Sequence, residues 1–247
     1  MTNARERHLT GTRILDTLRL IISLFRYNAN HVFAGKFKYF LFLSLALFLT
    51  IVIIYTIEEN TPPTAQDIYY FLYSPGLLLI FYPATYTIQR DTDSRMIETL
   101  FGIPDYRYKV WLARCVTQYI VTASILLLYA IFCQLALADF SLWSMIYHIM
   151  FPLLFVGSFG FMVSTFVRNG NGTAAILVIF LLIYNIITED QSANKWDIFY
   201  NPFESTEDFA GILQSDLTLY NRIYLVAGSI LMTLMGLLKL QNREKFI

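Results

Sequence analysis

The apolar residues of this chain are gathered into six long blocks, and that clustering limits the fold more than any motif does. The blocks are residues 39–57, 68–88, 111–137, 142–166, 173–188 and 223–240. A helix needs about 20 residues to cross the hydrocarbon core of a bilayer, and all six reach or approach that length. At 247 residues, 56% hydrophobic and 15% charged, the chain is too apolar for a soluble domain of its size. It is therefore expected to be an all-α membrane protein: residues 39–240 form a single six-helix domain, preceded by a cytoplasmic segment 1–38 and followed by a tail 241–247. The fifth block is short, and it either borrows residues 169–172 or leans on its neighbours. Pro75, Pro83 and Pro152 sit inside blocks, where they predict kinks rather than breaks, because neighbouring helices can re-satisfy the freed carbonyls.

Charge sets the expected orientation. With the N-terminus inside, 16 of the 18 Lys and Arg face the cytoplasm: seven before the first span, five in 89–114, Arg168, and three from Lys239 on. The outer loops then hold only Lys195 and Arg222 against 11 acidic residues. The reverse topology would invert the positive-inside rule, so both termini are expected to be cytoplasmic. The zero net charge hides this sidedness and argues against nucleic acid as a partner. The first apolar run starts near Tyr39, too far in and too long for a signal h-region, so no secretory leader is expected. Cys115 and Cys133 share one predicted helix, 18 residues or roughly 27 Å apart along its axis, and cannot bridge.

Three segments outside the spans carry pattern. Before the first span, Ile14, Leu18, Ile21 and Phe25 make one helical face and Asp16, Arg19, Ser23 and Arg26 the opposite one, as in an amphipathic helix lying in the inner interface. Between spans two and three, Asp93 can cap a helix start; Met96, Ile97, Leu100 and Phe101 then share one face, Arg95 and Glu98 the other. Gly102 and Pro104 stop it, giving a short amphipathic helix over about 91–102. An apolar face to dock and charges to register it suit contact with a second protein better than chemistry on a substrate. The long outer loop 188–222 has apolar pieces (Ile198, Phe199, Tyr200, Phe203, Phe209, Ala210, Ile212, Leu213) too short to cross, so it holds either re-entrant helices before span six or a small folded cap.

Catalytic chemistry is not evident. His8, His31 and His148 fall in separate regions, and no Cys/His/Asp cluster has ligand spacing. Gly157-Ser158-Phe159-Gly160 is superficially similar to an intramembrane serine protease motif, but the order is wrong and no His sits well inside a span as a base. Its small residues are read as close-packing positions, which with Ala174 and Ala175 also suit a dimer. Gly35-Lys36-Phe37 lacks the flanks of a P-loop, so no metal, cofactor or ATP site is expected in this chain. The spans are read as free of buried carboxylates and arginines, with Arg114 close enough to the boundary to snorkel, so energy must come from elsewhere. Tyr82, Tyr86, Phe159, Phe161 and Tyr184, with Asn185, offer surface that either lines a pathway for apolar cargo or packs between helices.

At this point the chain resembles the membrane permease subunits of ABC type-2 exporters. The segment after span two carries the likeness, as Arg90…Arg95-x-x-Glu98-Thr99-Leu100-x-x-x-Pro104-x-x-Arg107. The glycine- and serine-bearing fourth span ending in a short basic turn, the amphipathic entry helix, the long loop before the last span and the closing Leu240-Gln241-Asn242-Arg243-Glu244-Lys245-Phe246 are similar too. The likeness covers nearly the whole chain; its motifs are loose singly, and their order makes the case.

The resemblance implies an exporter moving an apolar or amphiphilic substrate through the bacterial inner membrane. ATP and Mg would be bound by a separate ABC ATPase subunit, since no Walker motif is present. A second copy or a related permease would complete the pathway, and Arg90, Arg95, Met96, Glu98, Thr99, Leu100, Phe101, Pro104 and Arg107 would form the coupling helix against the ATPase. Glu98-Thr99-Leu100 leans toward the drug, peptide or lipid branch. Haem- or polysaccharide-exporter permeases share the size and span count, and a non-transport intramembrane enzyme or a membrane scaffold or sensor are the readings from other classes.

Overall fold

In the computed structural model, residue 23 and residues 36–59, 61–93, 106–188, 196–204 and 211–240 are described. They form six helices: α1 (Phe37–Glu58), α2 (Ala65–Asp93), α3 (Tyr106–Ala136), α4 (Leu142–Val167), α5 (Gly170–Thr188) and α6 (Gly211–Leu240). Each is long and apolar enough to cross a membrane, and the chain is an all-helical, multi-pass membrane protein. The amphipathic face expected around Ile14–Arg26 lies outside the described residues, apart from Ser23, which is helical.

Two helices are central and four peripheral. About two-thirds (67%) of the apolar stretch of α2 and of α4 is buried, against 17–28% for the others. The periphery presents Leu, Ile and Phe side chains outward, such as Phe42, Ile54, Leu182 and Leu231, as expected where the solvent is hydrocarbon. Such helices gain nothing from hiding apolar surface and depend on close packing instead. Glycines supply that closeness. A Cβ on Gly160 would sit 2.8 Å from the Ala84 Cβ, and one on Gly157 would meet Ile80 and Tyr119, so both are used where α4 packs on α2 and α3. They are therefore taken up within the chain, whereas Ala175 on α5 remains exposed. On α6, Gly228 and Gly236 leave room for the rings of Phe155 and Phe161.

Local signals set the helix ends. Thr64 and Asp67 form a capping box at the start of α2, with the Thr64 hydroxyl and amide both donating to the Asp67 carboxylate (2.7 and 2.8 Å). Pro75 and Pro83 do not interrupt α2, nor Pro152 α4. Arg168 ends α4 in a left-handed conformation (φ 57°), and the Asn169 side chain accepts from the Asn171 and Gly172 amides to cap α5. The fifth span thus borrows Gly170–Gly172. The turn docks on α2, where Gln89 accepts from the Gly170 amide and Tyr86 donates to Asn171.

The sixth span departs from expectation: α6 runs from Gly211, so Arg222 lies inside it rather than in a loop, with Ile212 and Leu213 in its first turn. The described part of the long loop, 196–204, contains turns and no helix. Asp197 and Asn201 each accept from the amide two residues on, a side chain imitating a backbone turn. This cap is tied to α2 (Asn201 to the Gln66 carbonyl, 3.2 Å), to α6 (Asn221 to the Asp197 carbonyl, 2.6 Å) and to α5 (the Ile198 amide to the Tyr184 hydroxyl, 2.7 Å). Ile198 is buried against Phe155 and Leu225. Tyr184→Phe orphans the Ile198 amide at a cost of about 1–3 kcal/mol. Amide exchange over 196–201 should accelerate while the rest of the bundle keeps its protection; unchanged exchange would show that the tyrosine does not hold the cap.

Candidate functional site

The chemistry-bearing groups collect at the two ends of the bundle. At one end, α2 and α3 converge on the connection 94–105. Asp91 on the last turn of α2 accepts from Arg114 on α3, and both are buried, 0% and 3% exposed. The guanidinium lies 5.0 Å from the centre of the Trp111 ring, and Trp111 packs in turn with Ile88, Phe161, Leu237 and Leu240. Arg114 therefore does not snorkel, and the expectation of spans without buried carboxylate or arginine fails here. A charge in this setting is tolerable because its partner is held by an adjacent helix.

This pair lies beside the ends of the connecting insert. Residues 91–93 belong to α2, and the rest of the helix expected over about 91–102 lies outside the described residues. Of the proposed coupling residues, Arg90 lies on the last turn of α2 and Arg107 on the first turn of α3. Arg95, Met96, Glu98, Thr99, Leu100, Phe101 and Pro104 lie outside the described residues.

The aromatic residues named as a pathway fall into separate groups. Tyr82 is buried against Phe37, Phe40 and Tyr86, and accepts from the Lys36 amide. Phe159 contacts Phe180 (4.4 Å between ring centres), which leads to Tyr184 and on to Phe199 in the cap. Phe161 packs with Trp111. Asn185 is exposed and donates to the Leu181 carbonyl one turn back. In the single chain the rings of Tyr82, Phe159 and Phe161 pack against side chains of neighbouring helices, and Asn185 does not. Ser158 lies between Tyr119 (3.3 Å) and Thr233 (3.2 Å), a hydroxyl link among α3, α4 and α6 rather than a nucleophile beside a base.

At the other end, Arg222 is 6% exposed. Its Nε donates to His148 Nδ1 (3.4 Å) and its Nη1 to the Asn221 side chain (3.0 Å), with the Phe151 ring beneath. Sequence reading placed Arg222 in a loop and His148 alone. The signal available was their shared position near one membrane boundary, which becomes informative only when α4 and α6 are known to be adjacent. Among the described residues no three His, Cys, Asp or Glu side chains gather as a metal site. No family model, no curated protein and no solved structure matches this chain.

Proposed function

We propose that this chain is the transmembrane permease subunit of an ABC-type exporter. It would move an apolar or amphiphilic substrate with ATP hydrolysed by a separate nucleotide-binding subunit. One observation carries most weight: the connection 94–105 is rooted on both sides in a buried ion pair. Asp91 and Arg114 join α2 to α3 at the base of that connection, and the α4–α5 turn is fastened to the same end of α2 through Gln89 and Tyr86. A displacement of the ends of α2 and α3 would therefore be passed to the central helix and to the α4–α5 turn through these contacts.

In this reading the basic end faces the cytoplasm of a bacterial cell, and the cap 196–204 faces outward. A second copy or a related permease completes the pathway, since the apolar flanks of α1, α5 and α6 are free for lipid or for a partner. Arg95 and Glu98 make charge-assisted hydrogen bonds in a groove of the ATPase. The defining experiment is copurification of the tagged chain with a soluble Walker-motif ATPase from the source membrane. Glu98→Ala or Arg95→Ala should weaken that complex about tenfold or more, in line with ~1.5–3 kcal/mol for a hydrogen bond to a charged group, or leave hydrolysis uncoupled from transport. If both variants bind and transport normally, the insert is not the coupling element.

A further inference from the structure

A groove of about 860 Å³ runs along the flank of α6 beside α4 and the cap, lined by Arg222, His148, Ile223, Val226, Ala227 and Ile230 among others. Its chemistry is graded along its length. Arg222 and His148 hold the polar end near the cap, and Thr218 and Ser215 lie one and two turns farther out on the same helix face. From Ile223 to Ile230 the α6 side of the trough is aliphatic. The groove is flanked by outward-facing side chains, with Ile223 and Ile230 both exposed, so it opens toward the surrounding hydrocarbon.

Depth identifies which solvent layer the arginine meets. Lys239, near the other end of α6, is 17 residues from Arg222, or ~26 Å along a helix, close to the ~30 Å hydrocarbon thickness. The guanidinium therefore lies at the level of the lipid headgroups on the cap side. The aliphatic run from Arg222 to Ile230 extends ~12 Å inward, comparable with the ~15 Å depth of one leaflet.

The arginine is also incompletely satisfied. Its Nε and Nη1 donate to His148 and Asn221, while Nη2 is buried with no partner within hydrogen-bond distance, and the Tyr69 hydroxyl is the neutral polar group that also faces the guanidinium. No carboxylate is paired with it among the described residues, in contrast to Arg114. Because His148 Nδ1 accepts from Arg222, a neutral imidazole carries its proton on Nε2, a further donor in the same groove. A buried cation with a spare donor costs free energy unless an anion answers it.

We propose that this groove binds one anionic membrane lipid, its phosphate on Arg222 and His148 and an acyl chain in the Ile223–Ile230 trough. Charge selects the anion, depth selects a lipid head rather than a solute, and the length of the apolar run matches a chain in one leaflet. The binding does not depend on the transport assignment, because it is read on this chain alone without ATP or a second subunit.

The test is a titration of the full-length protein in mild detergent, read by native mass spectrometry. The ligands are dioleoylphosphatidylglycerol, dioleoylglycerol with the same chains, and inorganic phosphate. One saturable phosphatidylglycerol per chain is expected, with dioleoylglycerol about tenfold weaker or worse and inorganic phosphate not displacing the lipid; a tenfold difference is ~1.4 kcal/mol. Arg222→Gln should lose the preference for the anionic lipid, and Arg222→Lys should keep part of it. Ala227→Trp, which fills the trough without touching the arginine, should weaken both lipids. Equal binding of the two lipids by the wild-type protein overturns the proposal without requiring any variant to fold. So does displacement by inorganic phosphate, which would mark a site for free anions, or phosphatidylglycerol binding unchanged in both Arg222→Gln and Ala227→Trp.

Discussion

Arg114→Ala is expected to lower thermal stability in detergent more than any other single charge removal in the described residues. The substitution removes the Arg114 guanidinium from the Asp91 carboxylate, fully buried beneath α3, and breaking a buried pair costs about 3–5 kcal/mol. Folded proteins hold only about 5–15 kcal/mol in reserve, so a large share of the stability is at stake. Fluorescence-detected gel filtration after a heating series measures it. Lys38→Ala is the matched control. Lys38 is exposed and lies over the Tyr39 ring at 5.3 Å, and a surface change of that kind stays within about 0.5 kcal/mol. Replacing both partners together, as Asp91→Leu with Arg114→Met, should recover part of the loss, because it removes both charges of the buried pair. Arg114→Ala and Lys38→Ala melting together would show that the pair does not hold α2 to α3.

Gly160→Ala should cost about 1–3 kcal/mol, the usual price of overpacking a tight contact, and Gly160→Leu should cost more. The added methyl would lie 2.8 Å from the Ala84 Cβ, a rigid neighbour one residue after Pro83, so the two central helices would have to separate. Gly76→Ala separates this effect from helix propensity. Its nearest atoms are the ends of the Leu153 and Leu126 side chains (2.9 and 3.3 Å), which can rotate away. Alanine also favours the helix over glycine by up to about 1 kcal/mol, so Gly76→Ala should be nearly neutral. If thermal scans rank the two substitutions alike, close approach of α2 and α4 does not limit the stability of the bundle.

The spans and their punctuation were legible in the amino-acid sequence. Six blocks of sufficient length gave six helices, the internal prolines were carried without breaks, and the tight connection 138–141 is a turn in which Gln134 donates to the Phe140 carbonyl. Gly157 and Gly160 were recognisable as close-packing positions, though the surface they pack against was not. The cap itself was one of two readings that the apolar pieces of the long loop allowed, and Asp197 and the Asn201-Pro202 step are turn-forming residues that favour it over re-entrant helices.

The charged groups were misplaced for a common reason. Asp91 and Arg114 are 23 residues apart, and each taken alone is an ordinary charge near a membrane boundary. Arg222 reads as the end of a loop because a hydropathy sum counts it as a penalty, yet α6 continues through it with His148 and Asn221 accepting from its guanidinium. Transfer from water to hydrocarbon is approximately a sum over neighbouring residues, so the sequence by itself determined which segments cross and where they stop. Whether a charge is stranded, paired or held ready for an anion depends on which helix lies beside it. Only the packing of α2 on α3 and of α6 on α4 decided that, because the free energy of a buried charge is set by the few ångströms to its partner and not by distance along the chain.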